Sequence, residues 1–460
     1  MSLQQSYQMT IIEGLFQAKL NQEHELLILA EKFNWEEIAE QLAPFYSRIG
    51  RNGKSIRLMV GAHLLKHRFN VSDEEVAQRL AGDIYWMAFC GITGAFSSPD
   101  WRPLNSSTMT KFRKRIGVKG VQVIEKIIRE QLIEEKRINP KSQFVDTTAQ
   151  EKNIEYPTDT SLLDKGRKLL LKGLNKLNDL GRDVDVGRSF KRLGKKAILK
   201  AAKLGKGRQE RIEEAARDLI KYGKEVLVMV PNAIKKVRPR KDEKIQKDIE
   251  ETQEKLRKDA ELLERIIEQT ELRYEGIHVK EKVYSLHEPQ VTSITKGKRG
   301  KKNEYGSKVA ISTDSNGFVV HHEEYDHNVA DVSTLEPSVE GWEKATGQLP
   351  EEAAADRGYH SSEYGEKTNK IKRLAIPRKG KTRHPDSKAA YFKRLQRKRA
   401  AQEPIIGHLK ADHRMDRCRY KGFDGDRMNV SWAVLAWNSK KWGRQISNER
   451  KKAMIRILPA

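Results

Sequence analysis

Three acidic side chains carry the chemistry this sequence could do. Asp146 interrupts Phe144-Val145-Asp146-Thr147-Thr148, a run of aromatic and β-branched residues that reads as a short strand. A carboxylate inside a central strand is costly, and a metal ion or a cation offsets that cost. The plainer reading of Asp146 alone is a strand-end aspartate making a turn. Asp356 ends the apolar run Ala353-Ala354-Ala355, with Gly358 two residues on. That is the carboxyl end of a short strand, where α/β sheets tend to place their sites. Glu403 closes a helix expected through Tyr391–Gln402. Arg399 lies four residues earlier on the same face, and Lys410, seven beyond Glu403, shares it if the helix continues. Two strand aspartates and a helix glutamate make an oxygen-only anionic cage. Phosphodiester cleavage with paired Mg²⁺ ions needs a cage of this kind. For Arg399 the plainer reading is an i,i+4 pair with Glu403, worth a few tenths of a kcal/mol. Pro404 disfavours helical geometry at Glu403 and predicts a kink there. His360 and His408 are neighbours in sequence only, since hard cations prefer oxygen. His321 and His322 read as strand residues.

The elements that must position these groups can be read around them. Lys308–Thr313 is expected as a strand, Asp314-Ser315-Asn316-Gly317 as a hairpin turn, and Phe318–His322 as its partner. Val291–Thr295 is a weaker strand, followed by the basic loop Lys296–Lys302. Asp331 and the segment Ser333–Ala345 suggest a helix crossing back. Trp432, Leu435, Ala436 and Asn438 suggest a C-terminal amphipathic helix that covers the sheet. Residues 20–138 read as helical. Asn34–Glu37 and Ser72–Glu75 fit capping boxes, Leu58, Val60, Leu64 and Leu65 mark one helix, and Val76, Leu80, Tyr85 and Met87 mark another. A polar, Pro-containing loop follows Ile92. A further helix starts at Asn105 and carries Lys111, Arg113, Lys114 and Arg115 on little more than one turn. Such a helix could enter a DNA major groove, or its charges could simply face solvent.

Net charge is +25 on 460 residues, with a pI near 9.7. A surplus of that size points to a polyanionic partner, most simply nucleic acid. Residues 161–240 hold 23 Lys+Arg against 9 Asp+Glu, over half of the surplus. Leu162, Leu163, Leu169, Leu170, Leu174 and Leu177 recur there at helical intervals, so this is not a disordered basic tail. From Lys241 to Leu272, Ile245, Ile249, Leu256, Leu263 and Ile266 form one stripe, as in one arm of a helical hairpin or short coiled coil. This insert reads as an arm along DNA phosphates or as a solvated helical insertion. The two cysteines, Cys90 and Cys418, show no CxxC or zinc spacing, which fits a reducing compartment. With no signal pattern and no long apolar run, a soluble cytoplasmic protein is expected.

These motifs together resemble those of bacterial insertion-sequence DDE transposases of the insertion-sequence-five-like group. Phe89-Cys90-Gly91 and Ser107–Arg115 resemble the family's N-terminal domain. Asp146-Thr147-Thr148 with Asn153–Asp159, and Ala355-Asp356-Arg357-Gly358-Tyr359, resemble its first two catalytic segments. The family's signature around the glutamate is Tyr, two residues, Arg, three residues, Glu, six residues, Lys. Arg399, Glu403 and Lys410 stand at those spacings, and Gln396 stands where the signature has Tyr.

The resemblance implies an α/β fold: an RNase H-like mixed sheet flanked by helices, with an all-α N-terminal domain and a long helical insertion. The domains expected are 1–140 for DNA binding or dimerisation and 141–460 for catalysis, the latter interrupted by a basic insertion over 161–275. Asp146, Asp356 and Glu403 would hold two Mg²⁺ ions, or Mn²⁺ in their place. Arg399, Lys410, Lys111, Arg113 and Arg115 would contact DNA. Element ends and target DNA would be the partners, in a homodimer or larger synaptic assembly near the bacterial nucleoid. A regulatory or decayed DNA-binding protein on the same fold, and a metal-dependent nuclease without strand transfer, are the competing readings.

Overall fold

The computed structural model describes residues 20–47, 53–92, 103–181, 184, 186–295, 303–380 and 382–457. The polar loop after Ile92 lies largely outside these residues, and so does the basic loop Lys296–Lys302. The chain divides into two compact units, one of residues 1–152 with 307–460 and the other of residues 153–306.

The first unit begins with α1 (Glu25–Lys32), α2 (Trp35–Leu42), α3 (Ile56–Arg68), α4 (Asp73–Arg79), α5 (Ile84–Phe89) and α6 (Ser106–Glu134). Both capping boxes form at the N-terminus of a helix, Asn34 accepting from the Glu37 amide and Ser72 from the Glu75 amide. The single helix expected from Val76 to Met87 is instead two. Asp83 caps a fresh start by accepting from the amides of Tyr85 and Trp86. Within α6, Gly117 takes φ 55°, ψ −162°, a conformation essentially confined to glycine. It separates the basic turn from the rest of the helix.

Strand β1 (Ser142–Lys152) follows, and the chain then enters the second unit. There α7 (Asp159–Gly181), α8 (Lys191–Ala202), α9 (Arg208–Lys236) and α10 (Glu243–Tyr274) share one apolar core. Leu163, Leu170, Leu174 and Leu177 of α7 meet Ile249, Leu256, Leu263 and Ile266 of α10 in that core. Gly166 and Gly173 lie where an added Cβ would strike Leu263 and Leu256 of α10 at 2.6 and 2.7 Å. The stripe on α10 is thus one wall of a helical bundle. β2 (Thr292–Thr295) pairs antiparallel with the opening residues of β3 (Asn303–Thr313).

Back in the first unit, β3 pairs antiparallel with β4 (Val319–Tyr325) across the expected hairpin turn, where Gly317 has φ 81°. Then come α11 (Leu335–Thr346), β5 (Glu352–Ala354), β6 (Arg373–Ala375), α12 (Ala390–Ala400), α13 (Gln402–Ala411), β7 (Arg417–Cys418) and α14 (Gly422–Ile457). The strand order is β3-β1-β5-β6, with β4 on β3 and β7 on β1. β1, β5 and β6 run parallel, and β3 with β4 antiparallel, so the sheet is mixed. Successive residues of β1 face opposite sides of the sheet. Phe144 packs with Phe392 and Leu395 of α12, and Val145 with Leu335 of α11 and Tyr359.

Trp432 and Leu435 of α14 are buried with Phe318 and Val320 of the hairpin, but also with Met59, Phe112 and Ile128 of the N-terminal helices. A single core therefore joins the N-terminal helices to the sheet. The unit boundaries fall at 152 and 306, and α14 returns to pack against α1, α3 and α6.

Candidate active site

β1 and β5 pair in parallel with Phe144 opposite Ala354. Continued for two residues, that register sets Asp146 beside Asp356, on strands about 5 Å apart. Asp146 shares the sheet face of Phe144, the side from which α12 and α13 pack. The Asp146 side chain is buried to 18% exposure, and its Oδ1 accepts from the Thr147 amide at 2.8 Å. Burial pushes its carboxyl up to about 6. The nearby Asp356 and Asp331 add to the rise, while the Thr147 amide and Arg399 oppose it. Asp356 Oδ1 caps a single helical turn by accepting from the Gly358 amide at 2.7 Å.

The third carboxylate arrives differently from the expected kinked helix. α12 ends at Ala400, Ala401 forms a break, and α13 starts at Gln402. Pro404 lies in the first turn of α13, where its missing N–H is tolerated. The break thus falls before Glu403, and Glu403 itself is helical. α13 continues through Ala411, so Lys410 does share the face of Glu403, about two turns on. Arg399 spans the break. Its Nη1 stands 3.8 Å from Asp146 Oδ2 and its Nη2 3.5 Å from Glu403 Oε1. Arg399 is thus more than a helix-surface partner of Glu403, because it links the glutamate to the strand aspartate. The Glu403 side chain is 67% exposed.

Two glutamines set this geometry, and neither was expected to. Gln402 is fully buried, and its Nε2 donates to the carbonyls of Phe144 and Ile311 at 3.0 and 2.7 Å. It ties the start of α13 to β1 and β3, one residue from Glu403. Gln396, where the family signature has Tyr, donates to the carbonyls of Ala355 and Ala375 at 3.1 and 2.6 Å. It fastens α12 over the ends of β5 and β6. The sequence signal available was an amide side chain amid a cationic helix, which by itself reads as surface.

A fourth carboxylate joins the group. Asp331 Oδ1 accepts from the Thr147 hydroxyl at 2.6 Å and pairs with Lys308 Nζ at 2.5 Å. Burial pushes Asp331 up, but hydrogen bonds from Lys308 and Thr147 overcome this and leave it below its ordinary value. A Cβ added to Gly358 would lie 2.9 Å from Asp356 Oδ1 and 3.0 Å from Asp331 Oδ2, so glycine here leaves room for both carboxylates. Asp331 sits in a short turn between β4 and α11, and nothing in its local sequence marks it.

In chemistry the donor set suits a hard divalent cation: it is oxygen-only, net negative, and holds one carboxyl that burial disfavours in its charged form. As folded, Arg399 provides the positive charge between Asp146 and Glu403. No cluster of three or more acidic, His or Cys side chains converges to ligand distance among the described residues.

The expected DNA contacts separate. Lys111 and Arg115 are exposed, Arg115 lying 4.6 Å from the Tyr46 ring centroid. Arg113 is largely enclosed: its side chain is 9% exposed and its Nη2 is held by Asp73 at 2.7 Å. Lys410 is half-buried. His408 pairs with Asp412 at 2.9 Å, away from the carboxylates.

The sequence was compared with known proteins. A profile described as "Transposase domain (DUF772)" matches residues 15–115, and one described as "Transposase DDE domain" matches residues 238–439. An uncharacterised protein, ORF8 of the nfe locus in Rhizobium meliloti, is 35% identical over 195 residues, 42% of this chain and 90% of that relative. No solved structure matches the chain. No helix among the described residues is long and apolar enough to cross a membrane. With both transposase profiles matched in chain order, the chain belongs to the insertion-sequence DDE transposases.

Proposed function

We propose that this chain is the transposase of an insertion sequence of the insertion-sequence-five-like group. It binds the ends of its element, cuts them and joins the freed 3′-OH to target DNA. The observation that carries this reading is the neighbouring carboxylates Asp146 and Asp356 past the paired ends of β1 and β5, with Arg399 linking Asp146 to Glu403 and the Asp146 carboxyl raised to about 6. Its core is read as an RNase H-like sheet, with 1–140 recognising DNA and 161–275 forming the basic insertion.

Asp146, Asp356 and Glu403 are the residues that would hold Mg²⁺ or Mn²⁺. A bound pair supplies Lewis-acid stabilisation of the attacking and leaving oxygens of an in-line phosphodiester displacement. The protein's own groups do the rest. Asp146, raised to about 6, is mostly ionised at neutral pH and would offer its carboxylate to a cation. Glu403, exposed on the first turn of α13, turns inward. Arg399, which bridges these two carboxylates at 3.8 and 3.5 Å, would turn its guanidinium to a DNA phosphate if a cation took its place. Gln402 and Gln396 hold the two helices in place throughout. Lys111 and Arg115 reach the DNA backbone, with Lys410 on the Glu403 face.

The test is nicking of supercoiled plasmid in Mn²⁺ by wild type and by Asp146→Asn, Asp356→Asn and Glu403→Gln. Loss of nicking by about a hundredfold or more in all three, with DNA binding kept, is expected. Nicking that survives the substitutions would remove the catalytic assignment. DNA binding with no nicking by any protein would favour a DNA-binding protein that no longer cuts.

A further inference from the structure

A second cationic site lies beyond the carboxylates. It is a cavity of about 170 Å³ between α4, the turn around Arg414 and the start of α14. Five of its lining residues are cations and two are carboxylates. Asp73, one of the two, is already spent. It holds Lys66 Nζ at 2.7 Å and Arg113 Nη2 at 2.7 Å, and these hydrogen bonds bring it down to about 2 against the upward push of burial. Both cations also stack on the Tyr420 ring, with centroid distances of 4.9 and 4.5 Å. The other carboxylate, Glu74, is exposed.

Three arginines remain. Arg414 donates to the neutral Asn70 at 3.3 Å; burial, with Arg419 and Arg113, lowers its guanidinium, while Tyr420 and Asp73 partly offset this. Its backbone is left-handed, φ 67°, as is that of Asn70, φ 54°. Non-glycine residues hold that conformation at a cost that persists where the surroundings demand it. Arg417 has its nearest carboxylate, Glu151, at 3.7 Å, and half of its side chain is exposed. Arg419 is exposed and makes no ion pair with a described residue. The cavity therefore holds more positive charge than the protein neutralises, with Arg forks suited to phosphate oxygens.

We propose that this cavity is a phosphate-binding site that grips one phosphodiester of the DNA backbone outside the catalytic carboxylates. The proposal rests on the transposase reading for its source of phosphate. Its place in the fold supports that source. Arg417 on β7 pairs with Glu151 of β1, five residues from Asp146, which is about 17 Å along the strand. Arg414 follows directly on the helix that carries Glu403.

The test uses the full chain and a duplex oligonucleotide of arbitrary sequence, with affinity measured against salt. Arg417→Gln/Arg419→Gln changes exposed side chains only. The slope of log affinity against log salt should become shallower by about 0.9, the value for one phosphate contact on B-DNA. Arg414→Gly, which removes a cation and relieves the left-handed backbone, should flatten it likewise. A second arm compares melting temperature in inorganic phosphate and in chloride at equal ionic strength. An unchanged slope in both variants overturns the proposal. If phosphate still stabilises wild type over the variants in that case, the cavity takes a free anion and not DNA. A flattened slope together with nicking that survives Asp146→Asn would keep this site and discard the catalytic reading.

Discussion

Two buried ionic clusters in the same unit respond to burial in opposite ways. At one, Asp146 is pushed up to about 6. At the other, Glu125 of α6 is held down to about 2, although burial alone would raise it. The difference lies in the partners. His322 of β4 stands between two carboxylates, its Nε2 3.0 Å from Glu125 Oε2 and its Nδ1 2.6 Å from Glu324 Oε1. Burial lowers the imidazole, but the two carboxylates more than reverse this and hold it well above its ordinary value. Arg129 lies 3.8 Å from Glu125, and Arg427 3.8 Å from Glu324, so each carboxylate has a second cation. Asp146, by contrast, faces Asp356 and Asp331 with one distant guanidinium. One cluster is complete in the protein alone. The other lacks positive charge, and that deficit marks it as a site for something to bind.

Breaking the complete cluster should have the largest effect on stability. Glu125→Gln leaves a buried imidazolium short of one counter-charge and should cost about 3–5 kcal/mol, measured by chemical denaturation. The pH signs follow from the directions. Glu125, depressed, contributes stability that is present above its ordinary value of 4.5 and is lost as pH falls through about 2. His322, raised, contributes stability that is full below 6.5 and is lost only as pH climbs through its elevated value.

The incomplete cluster should show the reverse. Asp146 is raised above its ordinary 3.8, so it penalises the cation-free fold at neutral pH. Asp146→Asn should stabilise that form by on the order of 2–3 kcal/mol. The gain should be full above about pH 6, shrink as pH falls, and vanish below 3.8. A destabilised Asp146→Asn in the absence of divalent cations would break the comparison.

Smaller still is the scaffold effect. Gln402→Leu orphans two buried carbonyls, on β1 and β3, and should cost about 1–3 kcal/mol. It should lower nicking by more than its loss of stability explains, because it loosens the start of the helix that carries Glu403.

How much of this was legible in the sequence depended on how local each signal was. An aspartate inside Phe144–Thr148 conflicts with its own strand, and that conflict is visible without a fold. Glu403 was legible through its spacing to Arg399, but the reach of Arg399 to Asp146 was not, since it requires the sheet. Asp331 sits in a turn where aspartates are ordinary. The His322–Glu125 pair joins residues 197 positions apart, and no periodicity connects them. Arg113 read as surface charge because its partner Asp73 belongs to another helix. The hairpin turn at Asp314–Gly317 and the capping boxes form as expected, because each is closed by neighbours within a few residues.

The most direct test of the deficit is cation binding by the full chain, read as melting temperature with and without Mn²⁺ or Mg²⁺ at neutral pH. Wild type should be stabilised, by about 2.7 kcal/mol at a hundredfold excess over Kd, and Asp146→Asn and Glu403→Gln should lose most of that gain. Equal stabilisation of wild type and both variants, or none of wild type, would contradict the assignment of these carboxylates as the cation site.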